Sequence, residues 1–121
     1  MKKLFFIISF LFSSIVGAQE ISGVVNFKEK EAKGVLFIFA KKFDGSMPMP
    51  LAVKRIQNPK FPLTFKLSQS DAMIKSVPFE GPFKVVARLT KSGDAMDKSG
   101  PQGQTTKAIN LGEKKILILL K

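Results

Sequence analysis

The chain contains no cysteine, no histidine, no tryptophan and no tyrosine. Without cysteine there can be no disulfide staple, no thiolate nucleophile, no zinc thiolate and no lipid anchored on sulfur. Without histidine the commonest general base and metal ligand is missing. Tyrosine and tryptophan supply most anchors of tight, flat protein interfaces, so that kind of interface is disfavoured. Acidic residues are scarce, with 9 Asp and Glu against 20 Lys and Arg and a formal net charge of +11. No phosphate-cradling glycine motif precedes a helix. The remaining carboxylates, such as Asp71 with Glu80 or Asp94 with Asp97, could act as a hydrolytic pair. They sit in polar turn sequence with nothing to raise a pKa, so capping and solubility account for them. Lys91 and Ser92 are loop neighbours, not a dyad. The chain reads as a non-enzyme, with no cofactor and no metal site.

The N-terminus has the order of an export signal. Lys2 and Lys3 form a basic start, residues 4–12 an apolar run broken only by Ser9, and Val16-Gly17-Ala18 a small-residue cleavage site. The run is shorter than the roughly 20 apolar residues that span a bilayer. Cleavage after Ala18 is expected, leaving residues 19–121 as one exported, periplasmic domain without a transmembrane segment. Losing Lys2 and Lys3 lowers the net charge from +11 to +9. That balance favours anionic partners: acidic proteins, lipid headgroups or surface polymers. A mature chain of roughly 100 residues can bury one core without staples.

Period-two alternation dominates the mature chain. Phe61, Leu63, Phe65 and Leu67 alternate with polar or proline positions, and Phe83, Val85, Ala87 and Leu89 alternate with Lys84, Val86, Arg88 and Thr90. Residues 35–40 are apolar on both faces, as in a central strand, and residues 116–120 read the same way. Weaker strands are expected at 21–27, 51–56 and 105–110, with a bulge where Lys54-Arg55 breaks the alternation. Turns such as Lys33-Gly34, Asp44-Gly45 and Leu111-Gly112 separate them. Residues 70–75 allow a single helical turn capped by Ser70 or Asp71. Residues 91–104 read as a long mobile loop. About seven strands in one domain predict an all-β, antiparallel immunoglobulin-like β-sandwich; a small Greek-key barrel is the alternative.

Candidate binding residues follow from exposure and chemistry. Met47, Pro48, Met49 and Pro50 form an extended segment poor in backbone donors. Thioethers can pack a core, give partners a forgiving surface or bind Cu(I); Met73 and Met96 lie farther on. Lys66, Lys84 and Arg88 occupy outward strand positions and would form a basic patch if their strands were neighbours. The alternating phenylalanines fall on core-facing positions, which argues against stacking on nucleic acid.

Residues 35–45 (VLFIFAKKFDG), 47–55 (MPMPLAVKR), 61–73 (FPLTFKLSQSDAM) and 85–96 (VVARLTKSGDAM) occur in the order found in a known domain. They resemble the C-terminal periplasmic domain of the cytochrome c-type biogenesis protein CycH family. The resemblance implies an immunoglobulin-like fold and a chaperone-like, non-catalytic role in haem ligation. Apocytochrome c or haem-ligation components would be the protein partners. It transfers no catalytic residue. The chain departs from the family pattern at Ser99-Gly100-Pro101-Gln102-Gly103, where an acidic residue is lost. Two other functions remain open from the residues alone: an envelope protein binding anionic surfaces or polymers, and a methionine-based Cu(I) carrier.

Overall fold

Alternating side chains assemble into seven strands and one turn of 3-10 helix. They are β1 (Ile21–Asn26), β2 (Val35–Lys42), β3 (Ala52–Gln57), β4 (Leu63–Leu67), the 3-10 turn (Gln69–Asp71), β5 (Phe83–Thr90), β6 (Gln102–Gln104) and β7 (Ile116–Leu119). The structure is a computed structural model and describes residues 19–121. The expected export signal and its expected cleavage site therefore lie outside the described residues. One sheet has the order β4-β1-β7 and the other β3-β2-β5-β6.

The core lies between the sheets. From the larger sheet come Leu36, Ile38 and Ala40 of β2 and Phe83, Val85, Ala87 and Leu89 of β5. The smaller sheet answers with Ile21 and Val25 of β1, Phe65 and Leu67 of β4, and Ile116 and Ile118 of β7. Phe83 is fully buried and stacks on Phe79, ring centroids 4.4 Å apart. Burial of this apolar area drives the sheets together, and no disulfide contributes.

The structure corrects several local expectations. The sandwich is not wholly antiparallel, because β1 and β7 pair in parallel. The first and last strands meet in one sheet after the chain has passed through the other, and they run the same way. Gly23 permits their approach: a Cβ there would lie 2.1 Å from the Ile116 carbonyl oxygen. β7 is not buried on both faces, since Leu117 and Leu119 stay exposed on its outer side.

No bulge interrupts β3, which pairs with β2 in unbroken register from Ala52 opposite Ala40 to Gln57 opposite Val35. Lys54 falls on an inward position, but at a sheet edge. Its stem covers apolar surface while its ammonium leaves the core, donating to the Lys66 carbonyl at 3.1 Å and pairing with Asp71 at 3.5 Å.

The helical turn begins one residue earlier than expected. Ser68 is its cap, and the Asp71 carboxylate accepts from the Ser68 amide, completing a capping box. Residues 105–110 form no strand. Thr105 and Ile109 make separate contacts with β5, at Val85 and Phe83. The final three residues of the expected 91–104 loop are β6, antiparallel to β5. Lys121 and Gln102 exchange backbone hydrogen bonds at 3.0 and 3.2 Å, closing that side of the sandwich.

Candidate functional site

The Met47–Pro50 segment lies at the end of the sandwich where β2 runs out. The Asp44-Gly45 turn sends the chain back, with the Gly45 amide donating to the Lys42 carbonyl and the Ser46 amide to the Asp44 carboxylate. Hydrogen bonds from Ser46, its backbone amide most of all, hold the Asp44 carboxyl below its ordinary value. The chain then crosses the sandwich end and enters β3 through Leu51, whose amide donates to the Ala40 carbonyl at 2.7 Å.

Tertiary structure enlarges this segment into an apolar patch. The Met73 amide donates to the Leu51 carbonyl, drawing residues 73–77 alongside. Met47, Met49, Pro50, Leu51, Ile74 and Val77 then line a dimple of ≈ 10 Å³. That space holds about one water, too little for a small-molecule ligand. Met49, Met73 and Ile74 are exposed by 40%, 50% and 43%, while Met47 packs against the core. Two ammonium groups stand nearby on carbonyl partners: Lys42 on Glu80 and Lys75 on Ser70. Met96 is exposed elsewhere, in the segment that follows β5.

The three expected cations do not form one patch. Lys66 lies on β4, in the smaller sheet, and its ammonium is 3.9 Å from the Glu20 carboxylate. Lys84 and Arg88 lie on β5, in the larger sheet. Lys84 sits opposite Lys41 of β2 and is half-buried. Arg88 is engaged within the molecule. Its Nε donates to the Gln102 side chain at 3.1 Å, its Nη1 donates to the Ala95 carbonyl, and its guanidinium lies 5.2 Å from the Phe39 ring centroid.

Those bonds fasten residues 91–101 as a strap across the outer face of the larger sheet. Beneath it Val35, Phe37, Phe39 and Val86 form a second buried cluster, with Ala95 packed on it. The strap is braced internally by Asp97, which accepts from the Ser92 hydroxyl and from the Ser99 hydroxyl and amide. The Ser99 hydroxyl contributes most to holding the Asp97 carboxyl below its ordinary value.

A cleft of ≈ 960 Å³ occupies the opposite end of the sandwich, with Phe27, Leu89 and Leu120 among its apolar lining and Lys28, Lys33 and Lys91 among its basic lining. Sequence reading missed this cleft and the contributions of Met73, Ile74 and Val77, because both depend on loops meeting in space. Among the described residues no group of three or more His, Cys, Asp or Glu side chains gathers as a metal site would require.

Two packed β-sheets with their core between them and Greek-key-like exchange of strands define an immunoglobulin-like β-sandwich domain. The profile of the cytochrome c-type biogenesis protein H Ig-like domain matches residues 24–120, and the chain belongs to that family. CycH of Pseudomonas aeruginosa (strain PAO1) is 37% identical over 79 residues, covering 64% of this chain and 19% of CycH. An uncharacterized protein of Aquifex aeolicus (strain VF5) is 31% identical over 86 residues, covering 68% of this chain and 57% of its own length. The chain thus spans under two-thirds of either relative. An alternative pilotin from the type II secretion system of Vibrio cholerae superposes with a TM-score of 0.52 at 17% identity, covering 84% of this chain and 94% of the pilotin. That likeness is one of fold. No described helix is long and apolar enough to cross a membrane.

Proposed function

We propose that this domain is a non-enzymatic, periplasmic accessory of cytochrome c maturation that holds a protein partner through the methionine-rich end of the sandwich. Family membership across residues 24–120 carries the reading. The exposed Met49, Met73 and Ile74 support it, because flexible thioethers adapt to varied apolar segments without a fixed pocket. The partner class is unfolded or partly folded apocytochrome c, or another component of haem ligation. Holding such a chain requires no thiol, haem ligand or general base of the domain itself. The two carboxylates with lowered pKa, Asp44 and Asp97, are both explained by turn hydrogen bonds, which supports a role without acid–base chemistry.

The test is a pull-down with the exported protein from periplasmic and detergent-solubilised membrane extracts, at low and moderate salt. Apocytochrome c or haem-ligation proteins should be retained at moderate salt and lost with Met49→Asp combined with Ile74→Asp. Retention of only heterogeneous anionic material, released by salt, would remove the proposal.

A further inference from the structure

The described residues leave the outer face of the smaller sheet open. Opposite Val24 and Asn26 of β1 stand Leu117 and Leu119 of β7. These two leucines are exposed by 57% and 51%, although leucine is more often buried. Lys115 and Lys121, both exposed, lie just before the strand and two residues after its end, at the period-two spacing of the two leucines. Lys66 faces outward from β4 at the far side of the sheet, across from Ser22. The nearby acids are Glu20, beside Lys66, and Glu113, whose carboxylate accepts from the Asn110 amide. Among the described residues neither Lys115 nor Lys121 forms an ion pair with an Asp or Glu side chain.

We propose that this face docks the protein on an anionic lipid surface, with Leu117 and Leu119 entering the headgroup boundary and Lys66, Lys115 and Lys121 meeting lipid phosphates. Exposed leucines with ammonium groups on either side match the layering of that boundary, apolar inward and anionic outward. Two other occupants fit less well. A second copy placed leucine pair on leucine pair across a two-fold axis would bring the lysines at the ends of one strand toward lysines of the other, and like charges would oppose each other. Strand addition along β7 is obstructed by β6: Lys121 exchanges backbone bonds with Gln102, and a Cβ at Gly103 would lie 2.3 Å from the Leu119 carbonyl oxygen. The reading is independent of the protein-holding function, which uses the methionine-rich end.

The experiment is co-sedimentation of the exported protein with phosphatidylglycerol-containing vesicles and with pure phosphatidylcholine vesicles. Binding should be at least about tenfold stronger to the anionic vesicles and should fall with added salt. Leu117→Ser with Leu119→Ser should weaken it about tenfold. Lys115→Gln with Lys121→Gln should weaken it roughly 20- to 30-fold. Lys41→Gln with Arg55→Gln removes the same charge from the opposite sheet and should change binding less than about twofold. Circular dichroism would verify that each variant is folded. No binding to anionic vesicles overturns the proposal, as does unchanged affinity of the leucine variant or an equal loss in the opposite-sheet variant. A solution dimer abolished by the leucine substitutions also overturns it.

Discussion

Each sheet of this sandwich carries apolar residues on the side turned away from the core, and the two sides have been treated differently. On the larger sheet Val35, Phe37, Phe39 and Val86 lie beneath the 91–101 strap and the Arg88 guanidinium, each less than a tenth exposed. On the smaller sheet Leu117 and Leu119 have no cover from the described residues and remain more than half exposed. The covered face behaves as a second, shallow core; the open one is available to something outside the domain. Outward hydrophobicity alone therefore does not identify a binding surface. What distinguishes the faces is whether the chain spends a segment to close one.

The largest test of the comparison is truncation on each face. Phe39→Ala should cost about 3 kcal/mol, near the lower end for a buried phenylalanine, because its cavity lies under a strap that can partly collapse. Leu117→Ser should cost less than about 1 kcal/mol, as an exposed strand position losing little packing. Urea denaturation of both variants would measure the difference. Equal losses would mean that the two faces are energetically alike and that the strap is not a cover.

Next in size is Arg88. Arg88→Ala removes two hydrogen bonds and the contact over Phe39. It should lower stability by about 1–2 kcal/mol and raise hydrogen exchange of the strap amides near Ala95. Arg88→Lys should recover little, because an ammonium cannot reproduce the planar fork that reaches Gln102 and Ala95 together. If exchange in the strap is unchanged by either substitution, Arg88 is not its fastening.

These contrasts also mark where sequence was informative. The strands at Phe83–Thr90 and Val35–Lys42 were legible because strict alternation, or a run apolar on both sides, has few other solutions. The short strand Gln102–Gln104 was not, because Gln-Gly-Gln has no hydrophobic signature. Its place comes from backbone partners on β5 and at Lys121, which are fixed only once the whole fold forms. The parallel pairing of β1 with β7 was hidden for the same reason: alternation reports a face, never a direction or a neighbour. At the site, Met47–Pro50 was recognisable from composition, but Met73, Ile74 and Val77 join it through a hydrogen bond between loops. Arg88 reads from sequence as an outward cation because nothing in the local sequence reveals that Ala95 and Gln102 fold over to meet it. Lys66 and Lys84 share an outward pattern that makes a patch only if their strands are neighbours, and the fold puts those strands in different sheets.

The smallest effect concerns the bracing of the strap and its response to pH. Asp97 accepts three hydrogen bonds inside the strap, and its folded pKa lies below the ordinary value of 3.8. A depressed carboxylate pKa means that the folded protein holds the proton less tightly than the unfolded chain. The stabilisation is then fully present above 3.8 and is lost as pH falls through the lower, folded pKa. The strap should keep its bracing at pH 5 and loosen only in stronger acid. The Ser99 amide, which donates to Asp97, reports this directly. Its chemical shift should titrate with a midpoint below 3.8 in the native protein and show no such transition in Asp97→Asn. The Ser46 amide, bonded to Asp44, should titrate in the same direction and survive that substitution, since it lies in a separate turn. A Ser99 midpoint at or above 3.8 would mean that Asp97 does not brace the strap as an anion. The cover on Phe37 and Phe39 would then rest on Arg88 and packing alone.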